Sequence, residues 1–447
     1  MASCVAATVA VCGLVPHRPP PSPPVNFLLS QMYTKMGYHL LSFPNETLLN
    51  IFAHLVNHHE PAAYSFRTQG SRQIVERDTK YYRDLCSVSL TCKRLSILAR
   101  ELLLKEIVVP YVKLDRLLEC FIQYPQLTRL PQSLDVVQGY FNPPGSRKSS
   151  KTDEEFREGC WELIANLNIS DNHKTDWMNS VDIFIHDRTT SETDLLPSRF
   201  VTQDAVFCLL LAALPNLKRL QAGTLRTPDV PVLQDMLWDY HAYTPSPAHL
   251  GYLREAMLLV APKLTHLEVP LNWSAVRHAY NSHYGPSSLK ILREFTNLHT
   301  LTIPPFSFPP MLLNPDMFPS YKLPPTLRHI NVVGDRHLQL LEGTGLLCLM
   351  LEEREVNLRG ISIHQLISDS RNGWDYVDFN GQDPAAEGAR RLAERATELG
   401  IILKVHFTRE KSTGEKTTIA DYVHNRDSGL EPVPKPQSVP VTEPEEG

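Results

Sequence analysis

The feature that most constrains the fold is a short pattern that returns through the middle of the chain. A helix-like apolar segment leads into a turn and then into an apolar-x-x-apolar-x-apolar run. The last positions alternate, which is typical of a short strand with one buried face. The pattern occurs at Leu217/Leu220/Ala222, Leu264/Leu267/Val269, Leu298/Leu301/Ile303, Leu327/Ile330/Val332 and Leu358/Ile361/Ile363, with Met178/Val181/Ile183 and Ile402/Val405/Phe407 as outer copies.

The segments between these strands are predicted to be helices, at 154–167, 203–214, 252–260, 288–295, 336–351 and 384–399. One helix-turn-strand unit cannot bury its own apolar face, so neighbouring units must stack. The series resembles leucine-rich repeats of an irregular, long-period kind. We therefore predict an α/β fold with a leucine-rich-repeat-like βα solenoid over residues 110–408. An ordinary α/β domain with consecutive βα units would give a similar pattern and stays open.

A second pattern precedes the repeats, between residues 40 and 109. Apolar residues recur at helical spacing after Pro44, in Leu48, Ile51, Phe52 and Leu55. Proline suits the opening of a helix because its missing N–H is not needed there. A second amphipathic run follows from residue 85 to 103. These short helices predict a small all-α module with apolar surface left for a partner.

At these residues the chain resembles the F-box family. Its Leu-Pro-x-Glu-x-Leu opening reads here as Phe43 to Leu48, and its Ile-x-x-x-Leu continuation as Ile51 to Leu55. The later Ser-Leu-x-Cys-Lys-x-Leu segment reads as Ser89 to Leu95. Two features depart from the family: Phe43 replaces leucine, and residues 58–83 replace a short connection. Fungal proteins of this family often pair the F-box with irregular repeats of this kind.

The resemblance implies a partner and a binding surface. F-box modules dock on a Skp-type adaptor and, through it, on a cullin ubiquitin ligase. The residues expected to form or support that surface are Pro44, Leu48, Ile51, Phe52, Leu55, Leu90 and Leu95.

Composition shifts set the predicted domain borders. Residues 1–36 contain the run PHRPPPSPP and are expected to be a disordered leader, followed by the F-box-like domain at 37–109. Within the repeat domain, the polar segments 138–153 and 186–199 are expected to be loops. Residues 409–447 lose apolar periodicity and are expected to be a disordered tail.

The sequence contains none of the usual catalytic or cofactor motifs. It has no phosphate-binding glycine loop, nucleophile elbow, HExxH or paired CxxC. Cys92 has Lys93 and Arg94 beside it, but its place in the F-box-like pattern indicates packing. We therefore expect no catalytic residues, no cofactor and no metal. The net charge of −5 gives no reason to expect nucleic acid or a membrane as partner.

A cluster of aromatic residues is the candidate for substrate binding. These residues follow predicted helices or strands, where a solenoid presents its binding rim. They could equally cap the ends of the repeat core. The candidate rim consists of Trp238, Tyr240, Tyr243, Trp273, Tyr280 and Tyr284.

These observations lead to a two-part hypothesis. The chain is expected to be a substrate-recognition adaptor of a Skp/cullin/F-box ubiquitin ligase in the cytoplasm or nucleus. Its repeats would hold an unknown substrate protein. The main alternative is a repeat-based interaction scaffold without a ligase. An α/β enzyme with an unrecognised active site is the third reading.

Overall fold

The computed structural model describes residues 42–57, 65–69, 72–76, 85, 87–137, 152–190, 198–223, 225, 251–269, 292, 294–303, 323–334, 351, 357–368, 392–410, 416–425 and 429–432. They belong to two units, divided in sequence between Leu327 and Arg328. Eight strands run parallel to their neighbours, five in the first unit and three in the second. The predicted α/β class is therefore correct, and the finer description as a solenoid remains a proposal.

Among its described residues, the first unit contains seven α-helices of ten or more residues and seven strands. The helices are α1 (Asn45–Asn57), α2 (Lys93–Lys105), α3 (Leu114–Gln123), α4 (Thr152–Ala165), α5 (Asp171–Thr190), α6 (Ser198–Ala213) and α7 (Gly251–Val260). The strands are β1 (Ser65–Gln69), β2 (Arg72–Glu76), β3 (Glu106–Pro110), β4 (Ser133–Val137), β5 (Arg219–Gln221), β6 (His266–Glu268) and β7 (Thr300–Ile303). None of the helices that the structure describes could cross a membrane, because none is long and apolar enough.

Strands β3 to β7 form a parallel sheet in chain order. One row of residues in register crosses all five strands and is buried throughout: Ile107, Leu134, Leu220, Leu267 and Leu301. Because side chains alternate between the two faces of a strand, this row defines the apolar face of the sheet. The middle apolar position of the repeated sequence pattern supplies the residues of that face.

The strands also begin in the same way. The carbonyl of the residue before one strand accepts hydrogen bonds from two consecutive N–H groups of the next repeat. Gln132 O accepts from Lys218 N and Arg219 N at 2.8 and 3.0 Å, and Lys218 O accepts from Thr265 N and His266 N at 2.8 and 3.1 Å. Thr265 O accepts from the N–H groups of 299 and 300 at 2.8 and 3.0 Å. This shared contact aligns each strand with its predecessor.

A side chain in the preceding turn repeats as well. Asn216 Nδ2 donates to Arg129 O at 2.6 Å, and Asn297 Nδ2 donates to Pro262 O at 2.7 Å. Each asparagine immediately precedes the first leucine of its copy of the pattern. It donates to the carbonyl that lies one residue before the equivalent position of the previous repeat. In the repeat between them, Lys263 occupies the position of these asparagines. Burial lowers the pKa of its ammonium group.

The helices of the first unit pack around α6. Helix α6 contacts α3, α5 and α7, and its residues 203–211 are all buried. Trp177 on α5 stacks on Tyr252 of α7 with ring centroids 5.2 Å apart, and its indole N–H donates to Ala205 O at 2.9 Å. A helix that is apolar all round must lie inside such a layer. The predicted helices at 154–167, 203–214 and 252–260 are confirmed, with small shifts of their ends.

The second unit continues the parallel pattern and then reverses. Its strands are β8 (His329–Gly334), β9 (Gly360–Ser368), β10 (Ile402–Glu410), β11 (Lys416–Asn425) and β12 (Gly429–Pro432). Strands β8, β9 and β10 are parallel, while β11 and β12 add antiparallel pairs. Residues 392–398 are helical. That helix ends at Gly400, whose φ is 70°; Gly400 N donates to Thr397 O and Ile401 N to Ala396 O, a Schellman motif.

Both outer copies of the repeat were placed wrongly from the sequence. Residues 178–183 lie in helix α5, where the buried side chains are Trp177, Val181 and Phe184, at helical rather than strand spacing. In β10 the buried residues are Leu403 and Val405, in register with Ile361 and Ile363, whereas Ile402 is exposed. Gly400 takes the place of the first apolar residue of that copy. The alternation of Leu403, Val405 and Phe407 marked the correct frame, but Ile402 also fitted the spacing of the pattern.

Two parallel strands, β3 and β4, were missed altogether. Strand β4 places Leu134 and Val136 in the repeated positions, but Pro131 stands where the other copies have leucine. The parallel sheet consequently begins earlier than predicted. It includes β3, which the sequence analysis had assigned to the F-box-like domain.

The predicted loops and tails need three corrections. The tail at 409–447 contains β11 and β12, because its Thr, Ile, Tyr and Val residues favour strands and long β10 supplies a partner. The loop at 186–199 is shorter, since 186–190 belong to α5 and 198–199 to α6; likewise 152–153 belong to α4. The interval 58–83 carries the hairpin β1–β2, in which Gln69 pairs with Arg72. The leader and the rest of these segments lie outside the described residues.

Candidate partner-binding surfaces

The two halves of the F-box-like pattern pack on one core. Leu48 and Phe52 of α1 are buried together with Leu95, Leu98 and Leu103 of α2, and Leu85 joins them from the preceding segment. Val88 and Cys92 pack against this cluster while remaining partly buried. The interval 58–83 therefore does not separate the helices on either side of it.

A hydrogen-bonded clamp joins the starts of the two helices. The guanidinium of Arg94 donates through Nη2 to Phe43 O at 2.6 Å. It also donates to Asn45 Oδ1, through Nη2 at 2.8 Å and Nε at 3.0 Å. A charged donor in a fixed fork makes strong, directional contacts. Arg94 thus connects the Phe43-Pro44-Asn45 opening with the Cys92-Lys93-Arg94-Leu95 segment of the pattern.

The start of α1 differs slightly from expectation. Pro44 precedes the helix, which begins at Asn45, and Pro44 O accepts the hydrogen bond from Leu48 N at 3.1 Å. Proline therefore occupies the N-cap rather than the first helical position. Glu46 lies in the first turn, where an acidic side chain interacts favourably with the helix dipole.

The predicted docking residues divide into two groups. Leu48, Phe52 and Leu95 are buried and support the surface from inside. Pro44, Ile51 and Leu90 are exposed, and the side chain of Leu90 is 70% accessible. Leu55 lies in α1, but its side chain is outside the described part. Exposure of apolar residues at the pattern's outer positions is what a docking surface requires.

Two exposed apolar residues beside this group were not predicted. Phe43 and Ile97 are 36% and 56% accessible. Ile97 lies on the face of α2 opposite Leu95 and Leu98, so helical spacing alone would have marked it as an outward apolar residue. Phe43 replaces the family's leucine and was considered only as a tolerated substitution.

Cys92 is the N-cap residue of α2 and makes no side-chain capping hydrogen bond. Its carbonyl accepts from Ser96 N at 2.8 Å, as expected for the first turn of a helix. The thiol is partly buried against the cluster of α1 and α2. These contacts agree with the packing role inferred from the sequence.

The sheet of the first unit has a second, polar face. The residues that alternate with the buried leucines form one row in register, made of Asp135, Gln221, Glu268 and Thr302. Two residues earlier, a second row contains Ser133, Arg219, His266 and Thr300. Both rows share one face because residues two apart on a strand point the same way. Every side chain in them can donate or accept hydrogen bonds.

Burial varies across this polar face. Asp135, Glu268 and Thr302 are buried, Arg219 is exposed, and His266 is partly buried with its Nδ1 2.9 Å from Thr265 Oγ1. Burying a charged carboxylate costs free energy unless hydrogen bonds or a paired charge compensate for it. The sequence signal for this face was present: the x positions of the repeated pattern are polar in each of these strands.

The aromatic rim predicted from the sequence cannot be placed. Trp238, Tyr240, Tyr243, Trp273, Tyr280 and Tyr284 all lie outside the described residues. Within the described ranges, no group of three or more His, Cys, Asp or Glu residues could hold a metal ion.

No protein-family model matches the sequence. No curated protein shows significant similarity to it.

Proposed function

We propose that this chain is a substrate-recognition adaptor, in which the α1–α2 module docks on a Skp-type adaptor of a cullin ubiquitin ligase. The observation that carries the proposal is the packing of both pattern halves on one core, with Ile51 and Leu90 left exposed. An unpartnered apolar side chain as exposed as Leu90 contributes most when a partner buries it. The module would act in the cytoplasm or nucleus, where such ligases operate.

The parallel sheets form the substrate-binding end in this proposal. On the sheet of the first unit, the side chains in register that are exposed or partly buried are Arg219, Gln221, His266 and Thr300. Side chains in register suit the recognition of an extended partner surface. The F-box assignment and the leucine-rich-repeat description both rest on the sequence pattern. The chain would contribute proximity rather than chemistry, by raising the concentration of substrate lysines near a separate conjugating enzyme.

Co-purification with a Skp-type adaptor tests the docking end. The variant Leu90→Glu places a charge at an exposed apolar position and should weaken binding at least about tenfold without unfolding the chain. Ile183→Glu is the matched control, since Ile183 is an apolar residue 51% accessible on α5, outside the module. Ile183→Glu should retain the wild-type affinity in a titration of the labelled adaptor.

The outcomes separate the alternatives. A well-folded wild-type chain that binds no adaptor would leave the scaffold reading, in which the repeats bind a partner without a ligase. Equal losses for Leu90→Glu and Ile183→Glu would mean that binding does not use the module. Turnover by the isolated chain in a substrate screen would favour the α/β-enzyme reading.

A further inference from the structure

The second unit gathers positive charge at the beginning of its parallel strands. Arg328 and Arg359 each occupy the position immediately before a strand, and they are neighbours, because Arg359 N donates to Arg328 O at 2.7 Å. Lys404 lies on β10, in register with Ser362 and Asn331. All three cationic side chains are exposed.

His329 lies among these cations on the same sheet. Its register partners are Gly360 on β9 and then Ile402 on β10. The imidazole covers Gly360 so closely that a Cβ there would lie 2.9 Å from Nδ1. Glycine at position 360 therefore makes room for the ring.

The electrostatic environment of His329 is positive. The side chain of His329 is exposed, but partial desolvation lowers its pKa, and the charges of Arg359, Arg328 and Lys404 lower it further. The intervening positions in register, Gly360, Ser362 and Asn331, are uncharged. Like charges gathered on adjacent strands repel one another, so an anion bound between them would relieve that repulsion.

The extent of the cluster indicates the size of the anion. Neighbouring strands are about 4.8 Å apart and each strand residue adds about 3.3 Å, so the Cα atoms of Arg328 and Lys404 are separated by roughly 14 Å. Measured between Cα atoms, this span exceeds the width of a single phosphate group. An extended peptide with carboxylates on alternate residues, about 7 Å apart, can match several cations at once.

We propose that Arg328, His329, Arg359 and Lys404 form a binding site for an acidic, carboxylate-bearing peptide segment of a partner protein. Arginine forks bind carboxylates through paired N–H donors, and Lys404 adds a point charge at the far end. This site is independent of the proposed adaptor docking, because it lies in the other unit and needs no ligase component.

Fluorescence anisotropy with the full chain tests this site. The probe is a labelled peptide with four glutamates flanked by glycines, and the matching glutamine peptide is its neutral control. The glutamate peptide should bind, the glutamine peptide should not, and raising NaCl from 50 to 300 mM should weaken binding several-fold through screening. Absence of glutamate-peptide binding at low salt would refute the proposal.

Charge reversal localises the binding. Arg359→Glu should reduce affinity for the glutamate peptide about tenfold or more, since it replaces an attraction by a repulsion. Lys218→Glu is the matched control: Lys218 also precedes a strand, and its carbonyl accepts two N–H groups of the next repeat as Arg328 O does. Its register neighbours, Gln132 and Thr265, are uncharged. This control should bind within about twofold of wild type.

Two further measurements keep the result decisive. If Arg359→Glu lowers the thermal midpoint, Lys404→Glu at an exposed strand position replaces it with the same expected loss. The last measurement is the affinity of a labelled peptide that carries one phosphoserine in place of the glutamates. Tighter binding of that peptide than of the glutamate peptide, or equal losses for Arg359→Glu and Lys218→Glu, would overturn the proposed ligand class or location.

Discussion

At the scale of single residues, Arg94 connects features that lie far apart in the sequence. Its three donated hydrogen bonds reach Phe43 and Asn45 at the opening of the F-box-like pattern. The sequence analysis considered Arg94 only as a charge beside Cys92. Spacing rules reveal which residues share a helix face, but they do not reveal which long side chain will bridge two helices.

Replacing Arg94 by alanine should destabilise the α1–α2 module. The loss of charge-assisted hydrogen bonds to Phe43 O and Asn45 Oδ1 is expected to cost about 1–2 kcal/mol. Hydrogen exchange in the segments 42–57 and 87–105 should accelerate accordingly. Lys93→Ala, at the exposed neighbouring residue, serves as control and should leave exchange unchanged. Equal protection in the two variants would show that the clamp does not stabilise the module.

At the scale of elements, the repeated strand could be predicted well and its exceptions could not. Five copies of the pattern coincide with the start of β5, β6, β7, β8 and β9 because a buried leucine or isoleucine row demands that spacing. Strand β4 escaped detection because Pro131 replaced the first apolar residue, and β10 was displaced because Gly400 did so. Both substitutions suit the local turn, where proline and a positive-φ glycine are favourable.

The buried row supports a quantitative prediction. Leu267→Ala removes a side chain from the middle of the row and should lower the free energy of unfolding by about 2–5 kcal/mol, through lost burial and the cavity left behind. Ile402→Ala is the control because Ile402 also begins a strand but is 53% accessible. Urea denaturation followed by circular dichroism measures both. A small effect for Leu267→Ala would mean that the row is not part of a packed core.

A short sequence pattern can also predict the wrong type of element. Residues 178–183 fit a strand template, but the surrounding twenty residues of α5 form a continuous helix that buries Trp177, Val181 and Phe184. A three-position strand template is satisfied by chance within many helices. Conversely, residues 409–447 were expected to be disordered because they contain few large apolar residues and no apolar periodicity. Pairing with β10 decided its structure, and such pairing cannot be read from a local window.

At the scale of the whole molecule, burial of cysteines reports on the helix layer of the first unit. Cys120, Cys160 and Cys208 lie on α3, α4 and α6 and are buried. Burial raises the pKa of the Cys160 thiol, with a smaller contribution from Asp182. Since the thiolate is the reactive form, this thiol is expected to be inert in the native state.

Thiol labelling followed by mass spectrometry checks this arrangement. In the native protein Cys120, Cys160 and Cys208 should remain unmodified by a maleimide, while partly buried Cys92 reacts first among these four. All four should react after denaturation in guanidinium chloride, which provides the control for reagent access. Rapid native labelling of Cys160 would contradict the packing of α4 against α5.

The hydrogen bonds that begin each strand have a consequence for how such a chain can change over evolutionary time. Alignment depends on one carbonyl and two consecutive N–H groups, as at Lys218, Thr265 and His266. The segments 138–218 and 269–299, which separate neighbouring strands, differ greatly in length, yet the strands they connect remain in register. Because closing a longer loop costs little additional entropy, insertions between the packed helices of these segments are inexpensive, whereas changes within their buried residues are not. The same sheet can therefore accommodate connecting segments of very different length.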